Sequence, residues 1–190
     1  RETFLHPKLE DVTPKSVGID GKQLKKAIAR IKKAIEKREQ VVVFGDYDVD
    51  GITGSAILWE TLHAMGAKVL PYIPNRIEEG YGLSILGIKN LQEKFPENCH
   101  PELVSGSHTK KMSKIPERGL KQVQHDKECL GVKLIITVDN GIVAHAAVNF
   151  ANENTIDVII TDHHVVDAKL PEALAIVHTT KLCGAGVAYI

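Results

Sequence analysis

Net charge is missing from this chain: 24 lysines and arginines balance 24 aspartates and glutamates over 190 residues. That removes any global electrostatic signature for nucleic acid and leaves such work to local patches. Also missing is an apolar run long enough to span a bilayer, and no signal-peptide pattern opens the chain, so no membrane partner is expected. Cysteine is scarce: Cys99, Cys129 and Cys183 are odd in number and form no CxxC pair. This excludes a disulfide framework and reads as a protein of the cell interior with free thiols. An initiating methionine is absent too. The chain begins at Arg1 and stops at Ile190 in mid-pattern, which reads as a fragment.

An ordinary core is within reach, with 43% apolar residues in a length that suits one domain or a little more. The chain is organised around residues 41–55, VVVFGDYDVDGITGS, where an apolar run stops at three alternating acids, Asp46, Asp48 and Asp50. Like charges this close repel, and a divalent cation reverses that penalty. Two further runs repeat the plan. Residues 134–138 (LIITV) end at Asp139, Asn140 and Gly141, and residues 158–161 (VIIT) end at Asp162, His163 and His164. In an open parallel sheet, ligands bind at the carboxyl ends of the strands. The three clusters are therefore expected to converge. Mixed carboxylate and imidazole donors suit Mn²⁺ and also admit Mg²⁺ or Zn²⁺. Adjacent side chains after a strand point to opposite sides, so one of the two histidines is expected to bind metal while the other orients substrate or supports the site.

In chain order, residues 1–20 form a lead-in segment. Residues 21–39 read as a helix with Leu24, Ala27, Ile28, Ile31 and Ile35 inside and its lysines and Arg30 on a solvated basic face. Strand 41–44, helix 53–65 and strand 69–73 make a βαβ unit, hence a parallel sheet. Residues 74–83 (PNRIEEGYGL) are a loop in which Arg76 suits a phosphate and Tyr81 a base. A helix follows over residues 84–95. Residues 98–129 show neither period and read as an inserted loop; their wording resembles translated repeat elements, and His100, His108 and His125 are accidental there. A helix over 143–154, a fifth strand over 173–177 and a helix starting in the Gly-rich turn at 184–188 complete the chain. The fold class is α/β: an open, mainly parallel sheet with helices on both faces, truncated at its C-terminus.

Asp46-x-Asp48-x-Asp50-Gly51 also matches the opening of an EF-hand loop, but Ile57 stands where the bidentate glutamate belongs and a strand precedes it. The loop also resembles the nucleophile loop of haloacid-dehalogenase phosphatases, whose threonine comes one residue sooner than Thr53.

GDYDVDGITG, PNRIEEGYGL, TVDNGI and TDHH, in that order, resemble the DHH phosphoesterase superfamily. Within it the sequence is similar to the RecJ family, single-strand-specific 5′→3′ DNA exonucleases of bacteria. FLHPKLED, LPEALAIV and GAGVAYI extend the likeness to nearly the whole chain outside residues 98–129. The resemblance implies a partial DHH catalytic domain over residues 21–190, in a cytoplasmic hydrolase of DNA repair and recombination. It implies two ions, Mn²⁺ or Mg²⁺, that activate water. Asp48 and Asp50 would be metal ligands and Asp46 a ligand or the support of one. Asp139 would bind or bridge, and His163 would bind metal. His164 would contact the scissile phosphate or support the site, which makes Asp50, Asp139, His163 and His164 the catalytic set. Arg76 and Tyr81 would lie along the path of single-stranded DNA, and a single-stranded-DNA-binding protein or a helicase would be a partner. The family continues beyond GAGVAY to another metal-binding aspartate and to domains that grip the strand. Two alternatives stay open: an inactive or incomplete remnant that keeps the fold, and another DHH activity on short oligonucleotides or pyrophosphate.

Overall fold

A computed structural model describes residues 12–96 and 131–190. The expected insertion with its three histidines, and most of the lead-in, lie outside the described residues. The described elements run α1 (Gly21–Glu36), β1 (Gln40–Phe44), α2 (Val49–Ala64), β2 (Val69–Tyr72), α3 (Ile85–Lys94), β3 (Val132–Val138), α4 (His145–Glu153), β4 (Asp157–Asp162), β5 (Ala175–His178) and α5 (Gly184–Tyr189). No helix among them is long and apolar enough to cross a membrane.

Five strands form one sheet in the order β2-β1-β3-β4-β5, and every pairing is parallel. Parallel strands buried on both faces need continuous apolar runs, which Val41, Val42 and Val43 and the Leu-Ile-Ile of β3 supply. Alternation then divides the core in two. Val41, Val43, Ile136 and Val138 face α1, α2 and α5, while Val42, Phe44, Ile135 and Ile160 face α3 and α4. Each fully buried Val, Leu or Ile is worth about 1.5–3 kcal/mol. The chain leaves β1 toward β2 on one side and returns as β3 on the other, so a topological switch opens a crevice between the carboxyl ends of β1 and β3.

Two expectations need correction. First, α2 begins at Val49 rather than Thr53, because the Asp48 side chain caps it by accepting from Gly51 N–H at 2.8 Å. Asp50 therefore stands in the first turn of a helix, not in a loop. Second, Arg30 is buried, and Ile28 takes the exposed position. The Arg30 guanidinium meets Asp157 Oδ2 at 2.5 Å and Glu39 Oε2 at 2.7 Å, and donates to the Lys133 carbonyl at 3.2 Å. It clamps α1 to the amino-terminal edge of the sheet, opposite the crevice.

Candidate metal centre

The acids emerge from β1, β3 and β4, which are consecutive across the sheet. Neighbouring strands lie about 4.8 Å apart, so carboxylates at their ends fall within reach of one ion. Asp46 is buried. Its Oδ1 accepts from Tyr47 N–H at 2.7 Å, while Oδ2 has no hydrogen-bond partner among the described residues. Gly51 presses on its backbone, where a Cβ would come within 2.8 Å of Asp46 Cα. Asp50 is engaged from the far end of the chain: Oδ2 accepts from Gly184 N–H at 2.6 Å and Oδ1 from Ala185 N–H at 2.8 Å. Burial works to raise the Asp50 carboxyl, but these N–H groups outweigh it and hold the group below its ordinary range.

Asp139 carries the strain of the site. It sits at φ 63°, a left-handed conformation unusual for a residue with a Cβ, and its N–H donates to the Thr161 carbonyl at 3.0 Å. Its side chain is 2% exposed. Oδ1 has no aligned donor among the described residues, although His163 Nε2 lies 3.0 Å away. Burial, reinforced by the charges of Asp50 and Asp48, pushes the Asp139 carboxyl up to about 7.

The imidazoles reach this point through Asp162, whose carboxylate is buried. Its Oδ2 accepts from Ile142 N–H at 2.9 Å, and its Oδ1 accepts from the N–H groups of His163 at 2.7 Å and His164 at 3.1 Å. Those two bonds curl the chain into a turn, so the alternation of an extended strand does not continue past Asp162. Contrary to the expectation of opposite sides, both rings face the crevice, with centroids 4.6 Å apart. His164 Nδ1 lies 2.7 Å from Asp162 Oδ1. Burial opposes protonation of His164, but Asp162 outweighs it and raises the pKa.

Ligand atoms of Asp46, Asp48 and Asp139 lie within 4.8 Å of one another, and so do those of Asp139, His163 and His164. The two clusters share Asp139. Asp50 belongs to neither, yet its Oδ2 is 3.7 Å from His163 Nε2. Oxygens without a hydrogen-bond partner among the described residues on Asp46 and Asp139, beside the imidazole of His163, fit divalent cations with mixed oxygen and nitrogen donors.

At the mouth, the Arg76 guanidinium lies 4.9 Å over the Tyr47 ring, Tyr47 meets Tyr81 edge-on at 6.1 Å, and Tyr81 meets His164 at 6.4 Å. Burial of the Tyr81 hydroxyl, with the charge of Asp46 beside it, raises its pKa. Sequence reasoning missed Tyr47 and the supporting roles of Asp162 and Asn140. Asn140 Nδ2 donates to the carbonyls of Phe44 at 3.2 Å and Val138 at 2.8 Å, and its Oδ1 accepts from Leu83 N–H at 3.1 Å. It ties both walls of the crevice to the loop that carries Tyr81. The available signal was position, since Asn140 and Asp162 stand at the ends of apolar runs beside the residues they support.

Residues 40–190 match the model of the DHH family, N-terminal domain, and the chain belongs to that family. It is 33% identical over 195 residues to the single-stranded-DNA-specific exonuclease RecJ of Bacillus subtilis, spanning 98% of this chain and 20% of that protein. RecJ of Thermus thermophilus is 34% identical over 188 residues, spanning 95% of this chain and 22% of that protein. A crystal structure of exonuclease RecJ bound to manganese superposes with a TM-score of 0.62 at 32% identity, over 90% of this chain and 36% of that one. The chain thus spans about a fifth of the length of the curated relatives it matches. This family membership supports a nuclease or phosphoesterase.

Proposed function

We propose that this chain carries the metal-binding core of a RecJ-like exonuclease that hydrolyses single-stranded DNA from its 5′ end. The carrying observation is the orphaned, strained Asp139 carboxylate, shared by two clusters of donors. Asp46, Asp48 and Asp139 would hold one Mn²⁺ or Mg²⁺, and Asp139, His163 and either His164 or Asp50 a second. Bound there, such ions polarise the phosphate and activate water.

The chain's own residues do the rest. Asp162 and the turn it closes hold both imidazoles toward the crevice. Because His164 Nδ1 is engaged by Asp162, Nε2 is the nitrogen left for the second ion or, where Asp50 takes that place, for a phosphate oxygen. Arg76, steadied on Tyr47, binds a neighbouring phosphate, and the exposed ring of Tyr81 stacks on a base. On this reading residues 21–190 are the catalytic part, interrupted by the insertion. The setting is DNA repair or recombination in the bacterial cytoplasm, where a single-stranded-DNA-binding protein or a helicase presents the strand.

The test is degradation of a labelled, 5′-phosphorylated single strand with Mn²⁺, beside Asp139→Ala. Mononucleotides that appear only with metal and only with Asp139 intact are the expected result. Metal binding without cleavage would leave a remnant that keeps the fold. Absence of metal binding would overturn the reading.

A further inference from the structure

β5 is an edge strand, and its last residue, His178, stands beside Asp162 in the parallel ladder with β4. Alternation along β5 puts His178 on the half-buried side with Ile176, while Ala175 and Val177 enter the other core. From there the His178 Nε2 reaches the main-chain carbonyl of His164 at 2.7 Å. A carbonyl only accepts, so this contact requires a hydrogen on Nε2. His164 is then gripped on both sides of its peptide: Asp162 Oδ1 takes its N–H, and His178 takes its C=O. Beyond this point residues 165–170 are all exposed, and among the described hydrogen bonds the one from His178 is the last on the turn before the chain runs into solvent.

β5 is itself fixed. Ile176 N–H donates to Gln23 Oε1 on α1 at 3.1 Å, and the Thr179 hydroxyl donates to the Val17 carbonyl at 2.5 Å. The strand can therefore act as a strut that transmits the position of α1 to the Asp162–His164 turn.

We propose that His178 is a positioning residue of the metal centre, which sets the two imidazoles by holding the His164 carbonyl through its Nε2 hydrogen. This rests on the reading of the crevice as a divalent-metal site, and it adds a third histidine that touches neither metal nor substrate. Partners that orient ligands in this way commonly carry about tenfold or more in metal affinity.

Two variants separate donor from bulk. His178→Gln keeps an N–H at the reach of Nε2, while His178→Phe keeps a ring and loses the donor. Mn²⁺ titration by calorimetry should show the phenylalanine variant weakened about tenfold or more and the glutamine variant close to wild type. Equal affinity in all three would overturn the proposal, as would equal weakening of both variants, which would mark a packing role. Nitrogen-15 spectra of the metal-free imidazoles add a reading that does not depend on metal. They should show hydrogen on Nε2 of His178, and the opposite tautomer would also overturn the proposal. A wild-type chain that binds no Mn²⁺ would sink the metal reading on its own, with the tautomer still deciding the role of His178.

Discussion

Gly184 lies so close to Asp139 that a Cβ on the glycine would fall 2.4 Å from Asp139 Oδ1 and 2.6 Å from its Cγ. Asp139 cannot retreat, because its side chain is buried and its backbone is already in a left-handed conformation. The same glycine donates its N–H to Asp50. Gly184→Ala must therefore push α5 away from Asp50 or tilt Asp139. A loss of about 1–3 kcal/mol in urea denaturation is expected, as for overpacking elsewhere, together with weakened Mn²⁺ binding. Gly186→Ala is the milder control, since its Cβ would meet Leu182 at 3.1 Å, outside the site. Wild-type melting and metal binding in Gly184→Ala would show that the contact is slack.

The strand ends were legible because an apolar run that stops at an acid is a local signal, and three such runs in adjacent parallel strands had to open onto one crevice. The parallel direction of the sheet followed from the same runs, whereas its strand order, β2-β1-β3-β4-β5, did not. What was not legible depends on contacts distant in sequence or on short turns. Asp50 looked like one of three equivalent loop acids, and only the fold brings it to Gly184 and Ala185, more than 130 residues later. The curl after Asp162 comes from its own carboxylate accepting two N–H groups, which strand periodicity cannot report. Arg30 shares its helix with five lysines and carries the same charge, so the pattern assigned it outward. Its burial depends on Asp157, which is distant in sequence, and on Glu39, which the turn after α1 folds back against it.

Asp139 makes the metal-free fold sensitive to pH in a defined direction. Its carboxyl is raised from 3.8 to about 7, so the folded chain holds that proton more tightly than the unfolded chain does. The stability this confers is complete below the unfolded value and is lost as pH rises through the folded one. His164 is also raised and adds the same sign, whereas Asp50, which is lowered, contributes in the opposite direction only in acid. Without metal, the melting temperature should fall between about pH 5 and about pH 8. Asp139→Asn should flatten much of that slope, raise the melting temperature at the alkaline end, and remove the stabilisation produced by Mn²⁺. A slope unchanged in the asparagine variant would place the proton elsewhere.

Arg76 and Tyr47 should behave as a unit. An exposed guanidinium over a tyrosine gains about 0.5–1 kcal/mol, and the ring also limits where the charge can go. Arg76→Ala and Tyr47→Leu should each weaken binding of a 5′-phosphorylated oligothymidylate, measured by fluorescence anisotropy without metal. The double variant should lose less than the sum of the two, with a coupling of about 0.5 kcal/mol or more. Strict additivity would mean that Tyr47 contacts the strand by itself and does not support Arg76.

Asp162 and Arg30 offer a paired test of site against fold, because both are buried charges at opposite edges of the sheet. The Asp162 carboxylate accepts four donors: the N–H groups of Ile142, His163 and His164, and the ring of His164. In Asp162→Asn, either orientation of the amide turns an NH₂ toward an N–H donor, at a cost of about 1–3 kcal/mol for the buried groups left unpaired. Arg30→Met leaves Glu39 and Asp157 without their partner. Asp157 is 42% exposed, so the loss should stay below the 3–5 kcal/mol of a fully buried pair, at about 2 kcal/mol. The two variants are thus similar in stability. Calorimetric titration should nevertheless separate them: Mn²⁺ binding falls in Asp162→Asn, where the mount of both imidazoles is broken, and is unchanged in folded Arg30→Met. If both variants bound Mn²⁺ equally well, the turn at Asp162 would not be what positions the donors.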